Sequence, residues 1–159
     1  MATVQILGGG LGTSLEDRYG VKFNHSQPLW SSHFLIDNQD THIACQRDFV
    51  EAGADVLLTA THQVSVKGFA ITKTADFLNG IPRNAIPSYL ARAVETAEQA
   101  NSHGAAKMAL SLGRKYNAEH DTEESLHQWH RERLRLFAAV VRLRDRVQYI
   151  ALETVPRIG

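Results

Sequence analysis

Glu153 ends an apolar run, with Pro156 close behind it. In parallel α/β folds, ligands collect at the carboxyl ends of strands. A carboxylate there is either a ligand for a cationic or hydroxyl group or a structural acceptor for loop amides. Gly8-Gly9-Gly10-Leu11-Gly12-Thr13 also follows an apolar run, as a phosphate-binding loop would. A dinucleotide fingerprint needs a glycine where Thr13 stands, and a Walker loop needs a Gly-Lys-Ser/Thr that the chain lacks. The better reading is a tight turn that carries backbone close to a ligand. His120, Glu123, Glu124, His127 and His130 are spaced to align on one helix face, which resembles a metal set. At about 100° per residue they project opposite Leu126, Trp129, Leu136 and Val140, so a solvated charged face explains them more simply. Cys45, beside Ile43 and near Phe49, reads as a buried small hydrophobe rather than a nucleophile. Trp30 and Trp129 sit among apolar neighbours and read as packing residues.

These groups need elements to position them. Thr3–Leu7 is β-prone and stops at three glycines, as a strand feeding a loop does. Asp37–Ala52 is a helix candidate with Asp37 and Asn38 available as caps and Gly53 past its end. Val56–Ala60 reads as a buried strand, apolar without alternation. Gly68–Pro87 is rich in loop residues, and Pro87 suits the first turn of a helix running to about Asn101. Met108–Leu112 is a third strand, Glu123 to about Val141 a helix, and Gln148–Leu152 a fourth strand. Four strands separated by helical segments predict one α/β domain with a parallel sheet and right-handed crossovers.

Composition narrows the function classes. The 159 residues carry 17 basic and 17 acidic side chains, a formal charge of zero. Neither a nucleic-acid binder nor a polybasic membrane binder has that footprint. One cysteine excludes an internal disulfide framework and any site taking two thiolates from this sequence. No apolar stretch reaches the roughly 18 residues of a membrane span, and Met1–Gly10 shows no secretory pattern. The expectation is a cytoplasmic protein of a reducing compartment.

Three segments, taken together, resemble the homocysteine S-methyltransferase family. Ile6-Leu7-Gly8-Gly9-Gly10-Leu11-Gly12-Thr13 resembles its first-strand motif, Leu-Asp-Gly-Gly-Leu/Met-Gly-Thr. Pro28–Ser32, followed by Ala52–Gln63, resembles its second strand and the approach to it. Glu153-Thr154-Val155-Pro156 matches its fourth-strand motif, Glu-Thr-Ile/Val-Pro. The resemblance implies a (β/α)8 barrel that holds zinc through three cysteines and moves a methyl group from S-methylmethionine, S-adenosylmethionine or betaine to homocysteine. It implies that Glu153 binds the substrate amine and that Gly9, Gly10 and Thr13 lie against the amino acid. Thr61 and Gln63 would be rim residues of the second strand. The chemistry needs a thiolate, because a free thiol titrates near about 8.5 and attacks a methyl-sulfonium carbon poorly.

The departures from the family are equally specific. Gly8 stands where the family has aspartate, and His62 where a tyrosine is common. Arg114-Lys115-Tyr116 joins almost directly to Asn117-Ala118-Glu119, where the family carries a glycine-rich loop. Neither the cysteine after the sixth strand nor the later Gly-Gly-Cys-Cys motif occurs, and Cys45 matches neither. A full barrel takes roughly 250 residues. The expectation is therefore a truncated domain over residues 1–159: a partial (β/α)8 TIM barrel of about four βα units with parallel strands. Zinc is expected for the family but its ligands are absent here, and no residue is assigned as catalytic or metal-binding. Expected partners are homocysteine and a methyl donor, with self-association or a complementing barrel half covering the open face.

Overall fold

The computed structural model describes residues 4–24, 27–113 and 122–154. Expectations resting on Thr3, on Arg114 to His120, and on Val155 and Pro156 lie outside those residues. Three parallel strands run in the order β1 (Val56–Leu58), β2 (Lys107–Leu112) and β3 (Tyr149–Leu152). Leu57 pairs with Met108 across the first ladder, and Leu110 with Ile150 across the second. Side chains alternate between the two faces. Met108, Leu110 and Leu112 therefore point one way, into the helix-packed core, while Ser111 points the other.

Each strand is preceded by a helix, and the apolar faces of these helices pack on the core around β1 and β2. Helix α3 (Gln39–Glu51) starts at Asn38, whose side chain accepts from the Thr41 N–H at 3.4 Å. It is not continuous with α2 (Phe34–Asp37), because Asn38 leaves the helical region between them. Gly53, at φ +91°, turns the chain from α3 toward β1 in a conformation that a Cβ disfavours. Helix α5 (Ile86–Ala100) has Pro87 in its first turn and buries Leu90, Ala93, Val94 and Ala97 completely. Burial of each larger side chain contributes about 1.5–3 kcal/mol. Helix α6 (Glu123–Ala138) is capped by Thr122 and packs Leu136 and Phe137 on the same core. It ends earlier than Val141. A short α7 (Leu143–Arg146) leads into β3.

The predicted first strand is largely absent. Leu7 makes a single parallel bridge to Val56, and Val4, Ile6 and Leu7 are exposed. The segment has one neighbour, and the glycines begin at once, so a ladder cannot extend. It is held instead by Ile6, whose N–H donates to Asp55 Oδ2 at 2.8 Å and whose carbonyl accepts from the Asp55 and Val56 N–H groups. Two short helices overlap the segments expected as a tight turn through Thr13 and as loop from Gly68: α1 (Leu11–Tyr19), anchored by fully buried Leu15, and α4 (Val66–Ile71), capped by Ser65. Among the described residues no helix is long and apolar enough to cross a membrane.

Candidate functional site

The carboxyl ends of β1, β2 and β3 and the turn into α1 enclose a cleft of about 260 Å³. Thr59, Ala60, His62 and Gln63 follow β1; Ser111 is the penultimate residue of β2; Glu153 and Thr154 follow β3. Gly8–Thr13, Trp30, Ser31 and the α3 residues Gln46 and Phe49 form the opposite wall. Two residues on the cleft, Trp30 at φ +43° and Thr154 at φ +56°, hold backbone conformations unusual for non-glycine residues. Such strain persists where surrounding structure over-determines it, often at functional sites.

The polar floor is built by short hydrogen bonds between strand ends. The Ser111 hydroxyl donates to Glu153 Oε1 at 2.6 Å. His62 Nδ1 lies 3.4 Å from Ser111 Oγ and 3.6 Å from Glu153 Oε2. Beneath them the Thr61 hydroxyl donates to the Ser111 carbonyl at 2.7 Å, while Thr59 Oγ1 accepts from the Ser111 N–H at 3.2 Å. Gln46 donates to the Leu58 carbonyl at 2.8 Å. The Glu153 N–H donates to the Leu112 carbonyl, fixing where the carboxylate leaves the sheet.

Arg133 of α6 ties this floor together from behind. Its guanidinium, 1% exposed, donates to the carbonyls of Gly113 at 2.6 Å, Thr61 at 3.2 Å and His62 at 2.9 Å. It lies over the Trp129 ring, 5.5 Å from the centroid. Burial pulls it down to about 10, so it remains charged at neutral pH. His62 is held below its ordinary value, mainly by burial and further by Arg133, against the opposing pull of Glu153. Its ring rests on the face of Gly113, where any Cβ would overlap it. Gly9 and Gly12 have similar reasons: a Cβ would stand 2.8 Å from the Phe49 ring and 3.1 Å from the Trp30 ring, respectively.

The structure brings Glu153, Gly9, Gly10, Thr13 and Gln63 onto one cleft. Thr61, expected at the rim, is corrected in position. It is 0% exposed and lies under the floor, its hydroxyl and carbonyl spent on Ser111 and Arg133. Trp30 does more than pack, since it lines the cleft as well as meeting the Phe23 ring edge-on at 5.0 Å. Sequence reasoning passed over Ser111, Gln46 and Arg133. The available signal for Arg133 was its place four residues after Trp129 and three before Leu136, on the apolar face of α6.

The arrangement offers one carboxylate oxygen engaged by Ser111 and a second turned toward His62. Opposite stand the first amides of α1, which has no side-chain N-cap. A zwitterion suits that pairing of charges. Metal binding finds no such support. Among the described residues no three His, Cys, Asp or Glu side chains converge to hold an ion. Glu123, Glu124 and His127 are exposed on α6, and His130 is half-buried. Cys45 is packed with Leu15 and Phe34, and burial pushes its thiol up to about 11. The three-thiolate zinc set implied by the resemblance does not fit the residues present.

Comparison with known proteins places this geometry in context. The family model for homocysteine S-methyltransferase matches residues 5–159. The chain is 28% identical to homocysteine S-methyltransferase 2 of Zea mays, over 95% of this chain and 48% of the relative. It is 29% identical to betaine-homocysteine S-methyltransferase of Drosophila melanogaster, over 93% of this chain and 48% of the relative. Its structure resembles the metallated form of the Escherichia coli homocysteine methyltransferase MmuM with a TM-score of 0.71 and 25% identity, covering 96% of this chain and 55% of that one. The chain thus spans about half the length of the curated relatives it matches. With a family match along nearly its whole sequence and a parallel α/β fold shared with a homocysteine methyltransferase, the chain belongs to the homocysteine S-methyltransferase family.

Proposed function

We propose that the cleft binds homocysteine, its ammonium on Glu153 and its carboxylate against the Gly9, Gly10 and Thr13 turn, with Gln63 at the rim. The chain then supplies the amino-acid-binding part of a partial (β/α)8 barrel of about four βα units. The reaction served is methyl transfer from S-methylmethionine or S-adenosylmethionine. The homocysteine thiolate forms a C–S bond to the methyl carbon as the donor's sulfonium C–S bond breaks. That electron pair returns to the donor sulfur, leaving a neutral thioether and methionine. The observation that carries the reading is the Glu153 carboxylate, anchored through one oxygen by Ser111 at 2.6 Å and facing the glycine turn.

Activating the thiol is the step these residues do not support, because the one cysteine is buried away from the cleft. These 159 residues alone therefore turn over weakly or not at all. Titration calorimetry with L-homocysteine tests the binding claim. Glu153→Gln removes a charge-assisted contact of about 1.5–3 kcal/mol and weakens binding about tenfold to a hundredfold. Unchanged affinity in that variant would refute it. Methionine formation assayed with S-methylmethionine, with and without the remaining part of a full-length relative, tests the activity claim; full turnover by the chain alone refutes it.

A second reading is a non-catalytic half barrel that self-associates or docks on a full-length relative. It is favoured by Ile150 and Leu152, 60% and 61% exposed on a strand that, among the described residues, pairs only with β2. Sedimentation should show association that Ile150→Lys abolishes, and a dispersed wild-type monomer counts against it.

A further inference from the structure

Three strand ends meet at one carboxylate, which two side chains face. Ser111 Oγ holds Glu153 Oε1, and His62 Nδ1 stands 3.6 Å from Oε2, the oxygen left for a ligand. Resting on the reading that Glu153 takes a substrate ammonium, we propose that His62 determines when the cleft accepts an amine: its protonated imidazole is a cation beside that carboxylate oxygen and competes with the ligand's ammonium for it.

The geometry restricts His62 to this part. Its ring stands so close to Gly113 that a Cβ there would overlap it, and its own carbonyl is held by Arg133 at 2.9 Å and by the Gly113 N–H at 3.0 Å. Nδ1 stands 3.4 Å from Ser111 Oγ and 3.6 Å from Glu153 Oε2. Since the Ser111 proton is committed to Glu153, Ser111 Oγ is an acceptor toward His62. The neutral ring donates Nδ1–H there and adds no charge. The protonated ring is a cation beside Oε2, where it competes with an ammonium for one anion.

Among the described residues, two charged groups face the imidazole from the elements packed around it: Glu153 after β3, which favours the proton, and Arg133 from α6, which opposes it. With burial adding to the opposition, the ring is neutral and the oxygen free at neutral pH. Acidification reverses this. By linkage the effect is reciprocal, so a bound ammonium that neutralises Glu153 also makes His62 harder to protonate.

The test is calorimetric titration of the full chain with L-homocysteine under reducing conditions, between about pH 7.5 and about pH 5, for wild type, His62→Gln and Glu153→Gln. Below the His62 midpoint the wild-type dissociation constant is expected to rise by up to about tenfold per pH unit. His62→Gln keeps the side chain polar and should bind with a flat profile. In parallel, the His62 imidazole is followed by NMR in the ligand-free protein. Its midpoint should fall in Glu153→Gln and fall again in wild type on adding homocysteine. A wild-type profile with no slope, or the same slope in His62→Gln, overturns the inference while leaving the amine reading intact. Undiminished binding by Glu153→Gln, or no homocysteine binding at any pH, overturns both.

Discussion

His42 lies on α3 with no exposed surface, and neither ring nitrogen has a hydrogen-bond partner among the described residues. Burial alone lowers its midpoint from 6.5 to about 4. At about 1.4 kcal/mol per pH unit, that gap is about 3 kcal/mol of folding free energy tied to one proton. The unfolded imidazole takes its proton near pH 6.5, the folded one only near pH 4, so the unfolded state binds more protons between these values. Stability is full above pH 6.5 and falls as the pH drops toward 4, where the loss levels off. Moving from about pH 7.5 to about pH 5 should cost about 2 kcal/mol through this residue. Urea unfolding of wild type and His42→Leu at both pH values isolates the effect, since titrations at distant groups cancel in the difference. At the higher pH, His42→Leu should match wild type within about 1 kcal/mol, because it removes unpaired polar atoms from an apolar site. At the lower pH it should be the more stable protein by about 2 kcal/mol. Identical pH dependence in both proteins would refute the reasoning.

Other perturbations separate the floor of the cleft from its lining. Gly113→Ala should displace the His62 ring, with chemical-shift changes at His62 and Glu153, and flatten the pH dependence of homocysteine binding as His62→Gln does; unchanged shifts and an unchanged pH profile contradict this. Arg133→Met strips three carbonyls of their donor and should lower stability by about 3 kcal/mol or more in urea unfolding. Arg133→Lys should recover only part of it, since an ammonium cannot fork to three acceptors; full recovery argues against the clamp. Cys45 should resist thiol reagents at about pH 8 until the protein unfolds, and dialysis against zinc should leave less than one equivalent bound. Rapid labelling of the native protein, or stoichiometric zinc, refutes the packing assigned to Cys45.

Some of these features were legible in the sequence and some were not, for identifiable reasons. Strands β1 and β2 show as apolar runs, and α5 shows in its proline and its spacing, because burial on one side writes a period into the residues. Helix α1 shows nothing comparable. Gly12, Thr13 and Ser14 are weak helix formers, and the helix exists because Leu15 packs with Phe34 and Cys45. The Thr3–Leu7 run has strand-forming residues but only one neighbour to pair with, which no local pattern reports. At the site, Glu153 could be read from the general rule for strand ends. Arg133 could not be weighed, because its carbonyl partners lie 20, 71 and 72 residues away and a charged residue on a charged helix looks solvated.

Strand β3 has a consequence for how the site behaves in time. Among the described residues it is paired on one side only, and most of its residues are exposed, yet it delivers Glu153. Partial opening of this strand removes the carboxylate from the cleft while β1, β2 and α5 stay packed, so the opening costs far less than global unfolding. A ligand on Glu153 binds only the docked strand, and at a hundredfold excess over its dissociation constant it stabilises that strand by about 2.7 kcal/mol. Amide exchange at Ile150 to Glu153 should then slow about a hundredfold with ligand, while the amides of β1 barely change. Occupancy of the cleft is thereby written into the order of a single edge strand, which makes the strand a reporter of binding.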